Sequence, residues 1–361
     1  MANFDLSEFA LKCVCPNNEI LYDDKGMPSV MVRIPKFKIS DVITGGANSV
    51  HPAFIVNGQE VSEIYISKYQ NIVQNSRAYS LPGQDPKANI TFDQAISACT
   101  AKGEGWHLMT RAEWAAIALW CKKNSWLPYG NNNYGKDSRE SLVKGKPMTF
   151  DGSGNILHIA TGSGPLEYSH DKTVNGIWDL NGNVSEWIGG IRTVYGEIQV
   201  LVNNNAADSD NSQGATSAQW MAIDATDGSF ITPNGSGTTT NSVKMDYSSS
   251  HWVYSTTISS SSDSSRNCTF VSVTADSSIS SAAQNVLKAL ALMPDDTSFD
   301  YEGDYLYANN GAAEKAFTAG GSYSYGGGAG AGVFCLGGTY DRSYSSAAFG
   351  FRSAFVNLPS A

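Results

Sequence analysis

The sequence predicts an α+β fold with two helices, many short antiparallel strands and long loops. Three observations lead to this fold class: two adjacent segments carry helix caps, several segments alternate apolar and polar residues, and Gly- and Asn-rich stretches with Trp and Tyr anchors connect them. A chain of 361 residues is long enough to bury a substantial core. We expect an N-terminal arm over residues 1–28 and one domain over residues 29–361.

The N-terminal segment is rich in chain breakers, since CPNN and DDKGMP both favour turns. From residue 29 onwards, VMVRIPKFKISDVI, HPAFIV and EIYISKYQ predict three strands. Lys12 and Cys13 interrupt the apolar run that a signal peptide would have, so we expect no leader and synthesis in the cytoplasm. No stretch approaches the roughly 20 apolar residues of a membrane span, so no membrane insertion is expected.

Residues 89–121 carry the clearest helix signals. Thr91 precedes FDQAISACTAKG and predicts a capped helix that stops by Gly103. Thr110 precedes RAEWAAIALWCKK, and Glu113 stands three residues further on, as a capping box requires. Two consecutive helices are therefore predicted.

The second half of the chain combines compact and low-complexity segments. GIWDLNGNVSEWI, at residues 176–188, predicts a compact unit of tight turns and strand between buried tryptophans. Residues 204–298 are rich in Ser, Thr and Asn and contain the low-complexity stretches SGTTTN and SSSSDSSRN. We interpret them as an insertion into the domain, and composition leaves open whether this insertion is folded or disordered. Within it, SSAAQNVLKALALMPDD predicts one helix ending before Pro294.

Charge and cysteine usage restrict the classes of function. The net charge of −10 repels phosphate backbones, so nucleic acid is not expected as a partner. The polar surface must come from Ser, Thr, Asn and Tyr, because only 16% of the residues are charged. The six cysteines are scattered and lack the paired spacing of a zinc site, which favours reduced thiols.

Residues 320–355 consist mainly of Gly, Ser, Tyr and Ala, interrupted by the apolar groups VF, CL and AFGF. A flexible tail is one interpretation, but a tail has no need of those apolar groups, which predict strands that hold the intervening loops. Phe349, Phe351 and Phe355 alternate as in a half-buried strand. Arg352 is predicted to be a core arginine held by a carboxylate, with a solvated surface arginine as the alternative.

Four stretches occur together in a recognisable order: EIYISKYQ, GWHLMTRAEWAAIA, GIWDLNGNVSEW, and GGSY with GFRSAF. Between residues 63 and 355, this set resembles the formylglycine-generating-enzyme, or sulfatase-modifying-factor, type of C-type lectin fold. The resemblance implies that the aromatic-Arg segment near the C-terminus returns to pair with early strands.

The resemblance implies three alternative functions. A formylglycine-generating oxidase needs a cysteine pair, but Tyr325 and Gly330 stand where its thiols would be needed. A related iron-dependent sulfoxide synthase needs clustered histidines, and the five histidines here lack ligand spacing. The third alternative is the variable protein of a diversity-generating retroelement, whose C-terminal region is rewritten by mutagenesis. This third match is the closest, so we expect a ligand-binding protein and no enzyme, with a fixed lectin-like adhesin or a diverged oxidase as alternatives.

The expected variable region is residues 318–355, because Tyr, Ser and Gly are the residues that paratopes prefer. The candidate ligand-binding residues are Ser322, Tyr323, Ser324, Tyr325, Gly337, Tyr340, Asp341, Arg342, Tyr344 and Ser346. Relatives of this fold hold calcium near the DLNGNVSEW motif, which makes Asp179, Asn181, Asn183 and Glu186 candidate ligands of a structural calcium ion. The preferred interpretation is that these groups cap turns, and no other cofactor is expected.

The partner expected from the resemblance is a protein or glycan on a host cell surface. The corresponding location is a bacteriophage virion, at a tail fibre, with a bacterial surface as the alternative. Attachment to a fibre or an oligomer is part of this expectation.

Overall fold

The computed structural model describes residues 6–326 and 330–358. The described residues form five α-helices: α1 Leu6–Val14, α2 Ile39–Val42, α3 Phe92–Thr100, α4 Arg111–Lys123 and α5 Ser281–Ala289. Single turns of 3-10 helix lie at Pro52–Phe54, Leu166–Tyr168, Asn205–Ala207 and Phe270–Ser272.

The strands are short and numerous. They are β1 Asn18–Tyr22, β2 Pro28–Pro35, β3 Ile55–Val56, β4 Gln59–Glu60, β5 Glu63–Ser67, β6 Ile72–Gln74, β7 Arg77–Tyr79, β8 Trp106–Leu108, β9 Pro147–Phe150, β10 Ile156–Ile159, β11 Ser185–Val194, β12 Glu197–Val200, β13 Met221–Ile223, β14 Phe230–Ile231, β15 Lys244–Ser248, β16 His251–Ser255, β17 Arg266–Thr269, β18 Thr274–Ala275, β19 Tyr305–Ala308, β20 Lys315–Gly320, β21 Gly332–Gly338, β22 Phe349–Phe351 and β23 Ser353–Phe355.

Local capping explains why the two predicted helices form where they do. The Thr91 hydroxyl accepts a hydrogen bond from the Gln94 amide, and the Gln94 side chain accepts one from the Thr91 amide. Thr110 and Glu113 make the same reciprocal pair at the start of α4. These bonds satisfy amides that the first helical turn leaves unpaired, so both predicted helix starts are confirmed.

One sheet brings the two ends of the chain together. It has five strands in the order β1-β2-β5-β23-β8, and its neighbouring strands are antiparallel. Ala354, on the C-terminal strand β23, lies opposite Ile66 of β5 on one side and His107 of β8 on the other. The expectation that the C-terminal segment pairs with early strands is therefore confirmed.

The second, twelve-stranded sheet contains the central strands of the domain together with those of residues 204–298. Its main path runs β17-β19-β21-β20-β11-β12-β15-β16-β18. Trp252 and Tyr254 of β16 belong to the same buried core as Trp114 of α4 and Phe334 of β21. Residues 204–298 are thus an ordered part of the fold, and the helix predicted inside them is confirmed as α5.

The α+β class is confirmed, with three differences in detail. There are five described helices: α3 and α4 are the two expected for the fold class, α5 is the helix expected in the insertion, and α1 and α2 were not predicted. The segment predicted as an arm contains β1, which pairs with β2 and is an edge of the first sheet. HPAFIV forms a turn of 3-10 helix and a two-residue strand, since Pro52 lacks the amide that a longer strand would need. Among the described helices, none is long and apolar enough to cross a bilayer.

Candidate functional site

The C-terminal strands are fixed by a buried ion pair. Arg352 is 0% exposed, and its Nε and Nη2 each donate to one carboxylate oxygen of Glu186 at 2.6 Å. The guanidinium also donates to the carbonyl oxygens of Ser67 and Trp178, at 3.0 and 2.9 Å. This arrangement confirms the predicted core arginine, and it links β22 and β23 to β5, β11 and the loop before β11.

The candidate calcium ligands are Asp179, Asn181, Asn183 and Glu186. Both Glu186 oxygens are taken by Arg352. The Asn181 side-chain oxygen accepts from Asn132, and that of Asn183 accepts from Asn131. Burial raises the pKa of Asp179 to about 6, and one of its carboxylate oxygens accepts from the Gly162 amide. These residues do not fit a calcium site, and no group of three or more His, Cys, Asp or Glu among residues 6–326 and 330–358 is placed to hold a metal.

Tyrosines from separate loops meet on one surface, which we call the tyrosine surface: Tyr134, Tyr323, Tyr325, Tyr340 and Tyr344. The Tyr323 and Tyr134 ring centroids are 5.9 Å apart, and Tyr340 stacks on Tyr344 at 4.0 Å. Burial raises the pKa of Tyr323, and the neighbouring Tyr134, Asp151 and Tyr344 raise it further. Burial also raises the pKa of Tyr325, and Tyr340 contributes to this increase. The rings therefore form two contacting pairs, Tyr134 with Tyr323 and Tyr340 with Tyr344, although the tyrosines of this surface lie up to 210 positions apart in sequence, from 134 to 344.

The loops that carry this surface are held to the scaffold through backbone atoms. The carbonyl oxygens of Tyr323, Arg342 and Ser346 accept from the amides of Tyr134, Phe92 and Asn89, respectively. The Tyr340 carbonyl accepts from the Ala316 amide, and the Tyr323 amide donates to the Asn183 carbonyl. Because backbone groups are common to all residue types, this anchoring does not depend on the side chains that the loops display.

The part of the surface around Tyr340 rests on the hydrophobic core. Both Tyr340 and Tyr344 have ring centroids 5.1 Å from that of buried Phe349. Tyr340 is 37% exposed, whereas Tyr344 is only partly exposed. Tyr340 is thus the more available for contact, and Tyr344 positions it by stacking.

Two predicted site residues take part in ion pairs. Arg342 donates to Glu314 at 3.0 Å and to Asp93 at 3.1 Å, and its Nη2 donates to the Gln213 carbonyl. Asp341 accepts from Lys315 at 2.7 Å and is exposed. These contacts show that Arg342 fastens its loop to α3 and to the turn before β20, in addition to any contact it makes with a ligand.

Ser322 differs from the prediction that it lies on an accessible surface, whereas Gly337 is partly exposed. Ser322 is fully buried, because the chain turns inward between Gly321 and the exposed Ser324. Gly337 lies within β21, where an added Cβ would meet the Thr318 hydroxyl at 2.7 Å. Ser346 is partly exposed, and residues 327–329 of the predicted variable region lie outside the described residues.

A polar cluster that no sequence pattern indicates lies beneath Tyr323. His158 is 4% exposed, its ring lies 5.7 Å from Tyr323, and its Nε2 is 2.7 Å from the Ala347 carbonyl oxygen. Its Nδ1 is 2.8 Å from an Asp85 carboxylate oxygen. Burial raises the pKa of Asp85, but hydrogen bonds from His158 and Thr149 outweigh it and the net pKa is lowered. A single histidine in the short strand β10 has no sequence pattern by which this role could be recognised.

The cysteines show no pair near the C-terminal loops. All six are free, and Cys335 is buried within β21. Burial raises the pKa of the Cys335 thiol well above its usual range, as does the neighbouring Asp304. A buried, protonated thiol is a poor nucleophile and a poor copper ligand.

Comparison with known proteins gives one family match. The model of the sulfatase-modifying factor enzyme 1-like domain matches residues 9–228. No curated protein matches significantly. Variable protein 1 of Treponema denticola is 11% identical, with 94% of this chain and 98% of that chain covered and a TM-score of 0.32. PvdO from Pseudomonas aeruginosa is 12% identical, with coverage of 93% and 97% and a TM-score of 0.32. At such TM-scores, neither structure indicates what this chain binds.

Proposed function

Because the chain belongs to the sulfatase-modifying factor enzyme 1-like family and has its C-type-lectin-like fold, we propose that it uses this fold to bind a ligand and not to catalyse a reaction. The tyrosine surface is the binding site in this proposal. Its ligand is a protein or glycan on a host cell, and the chain is displayed on a bacteriophage tail fibre.

One observation carries the proposal: two contacting pairs of tyrosines lie on loops whose backbone groups are hydrogen-bonded to the scaffold. Tyrosine offers a large rigid contact area at a low cost in side-chain entropy, and Ser324 and Ser346 add adaptable hydrogen bonding around it. The scaffold beneath is rigid, since the Arg352–Glu186 pair is fully enclosed. A preformed surface loses little conformational entropy on binding, which favours affinity.

The chemistry of the same region argues against the oxidase alternative. Cys13 is exposed and the other five cysteines are buried, so the described residues present no pair of exposed thiols to a substrate. Binding by the tyrosine surface needs no reactive group. We therefore place the function in recognition.

The proposal extends to variability: residues 318–355 are rewritten by a retroelement, which changes side chains on a constant scaffold. The test is to compare the coding sequence of this segment with the surrounding genome. We expect a second copy beside a reverse-transcriptase gene, with mismatches confined to adenines of that copy and falling on codons of Tyr323, Tyr325, Tyr340 and Tyr344. Finding no second copy would refute rewriting and leave a fixed lectin-like adhesin.

A further inference from the structure

A cleft of about 550 Å³ lies far from the tyrosine surface along β11. It is an open cleft, lined by Tyr195 in the turn from β11 to β12, by residues from the segments 237–244 and 256–261, and by Asn310. Tyr195, at the rim of the cleft, directly follows the last residue of β11. Tyr325, on the tyrosine surface, is hydrogen-bonded to Ser185, the first residue of β11. Ten strand residues separate these ends, a distance of roughly 30 Å.

Apart from Lys244, the polar groups that line this cleft are neutral, and several of them are available for hydrogen bonding. The hydroxyl or amide side chains without a hydrogen-bond partner among the described residues are Thr240, Asn241, Thr256, Thr257 and Ser261. The Lys244 ammonium is already surrounded by acceptors, since it donates to the carbonyls of Thr239, Ser242 and Thr256. No carboxylate belongs to the described lining. The free groups therefore suit an uncharged ligand rich in hydroxyls.

An aromatic ring stands beside these groups in a fixed position. The Tyr195 side chain is 44% exposed, and its backbone has φ of +47°, a conformation that tyrosine rarely adopts. Gly237 packs against this turn so closely that an added Cβ would be 2.4 Å from the Val194 carbonyl oxygen and 2.7 Å from the Tyr195 Cβ. The turn and the facing loop thus hold the ring at the cleft edge.

We propose that this cleft binds a neutral saccharide. The apolar C–H face of a pyranose ring packs on the Tyr195 ring, and its hydroxyls pair with the threonine, serine and asparagine groups opposite. Such a site keeps its specificity when the tyrosine surface changes, because none of its residues belongs to residues 318–355. The molecule would then hold two binding sites, one constant and one variable.

The test uses saturation-transfer NMR with the methyl glycosides of glucose, galactose, mannose and N-acetylglucosamine and the full chain. We expect at least one glycoside to give a saturable signal with a dissociation constant of about 1 mM, typical of a single sugar ring with few contacts. Tyr195→Asn should weaken that signal about tenfold, because asparagine tolerates the left-handed backbone but removes the ring. Thr257→Val, which removes one exposed hydroxyl, should weaken it less.

Tyr22→Asn is the matched control, since Tyr22 is 43% exposed and lies on β1, in the other sheet. It should bind the glycoside as the parent does. Equal signals from the parent and Tyr195→Asn would overturn the proposal, as would no saturable signal from any of the four glycosides. Loss of the signal in Tyr323→Ala but not in Tyr195→Asn would assign sugar binding to the tyrosine surface and equally overturn it.

Discussion

Arg352 shows how one residue fixes the end of the chain to the core. Removing its guanidinium leaves the Glu186 carboxylate buried, with Gln70 as its remaining side-chain donor. An uncompensated buried charge is costly, whereas replacing both members of a buried pair is often tolerated. Stability is therefore expected to depend on the pair as a unit and not on either charge alone.

We predict that Arg352→Met lowers the free energy of unfolding by about 3–5 kcal/mol, measured by urea titration with tryptophan fluorescence. The double variant Glu186→Gln with Arg352→Met should recover part of the loss, because no charge remains unpaired. Arg33→Met is the control: Arg33 is 53% exposed and paired with Glu63, so the change should leave the free energy of unfolding close to that of the parent. An Arg352→Met variant with the same free energy of unfolding as the parent would contradict this role of the Arg352–Glu186 ion pair.

The sequence identified this arginine but not its partner. Arg352 was predicted to be buried against a carboxylate because it stands between alternating phenylalanines. Glu186 lies 166 positions away, and nothing local distinguishes it from other acidic residues. The tyrosines of the C-terminal region were likewise predictable from composition, whereas Tyr134, Asp85 and His158 were not, because only folding brings these segments together.

At the level of elements, the hairpin of β1 and β2 is joined to β7 by Asp23. One carboxylate oxygen accepts from the amides of Lys25 and Met27, and the other accepts from Arg77 and Tyr79 at 2.9 and 2.8 Å. Burial raises the pKa of Asp23, but these hydrogen bonds outweigh it and lower the pKa to about 2. The ionised form is therefore the one that stabilises the hairpin.

This pKa gives a prediction with a definite sign. A carboxyl group with a lowered pKa stabilises the fold above its unfolded value of about 4, and this contribution is lost as the pH falls towards 2. The melting temperature of Asp23→Asn should thus lie below that of the parent at pH about 7, and the two should converge in acid. Asp210→Asn, at an exposed position, should follow the parent throughout. A difference in melting temperature between Asp23→Asn and the parent that stays constant with pH would contradict the stabilising role of the ionised Asp23.

Helices were easier to predict than strands for a physical reason. The caps of α3 and α4 are formed by residues three positions apart, so the signal is contained in the segment itself. Strands depend on partners that can be anywhere in the chain, as when β23 inserts between β5 and β8. The break between β22 and β23 at Arg352 was also missed, since alternation alone predicts one continuous strand.

For the whole molecule, residues 204–298 share their packing with the family scaffold. Arg111 of α4 donates to the carbonyl oxygens of Leu290 and Ala291 at the end of α5, at 2.7 and 3.3 Å. Lys122 pairs with Asp295 at 2.9 Å. Composition could not predict that this segment is ordered, because Ser, Thr and Asn are also typical of disordered segments. Here the Asn234 side chain accepts from the amides of Ser236 and Thr238 and forms a local turn.

We predict that the insertion and the scaffold unfold together. Far-UV circular dichroism and tryptophan fluorescence should give coincident urea transitions, because Trp114 and Trp252 lie in one core. Hydrogen exchange should show protection in α5 comparable with that in α4. An α5 that exchanges at low urea while α4 stays protected would show that the insertion is a separate cooperative unit.

The backbone anchoring of the tyrosine surface has a consequence for engineering. If the carbonyls of Tyr323, Tyr340, Arg342 and Ser346 hold their loops, a library randomised at Tyr323, Ser324 and Tyr340 should retain folding in most of its members. Selection from such a library could then yield binders to targets that the natural chain has never met, much as antibodies are matured on a constant framework.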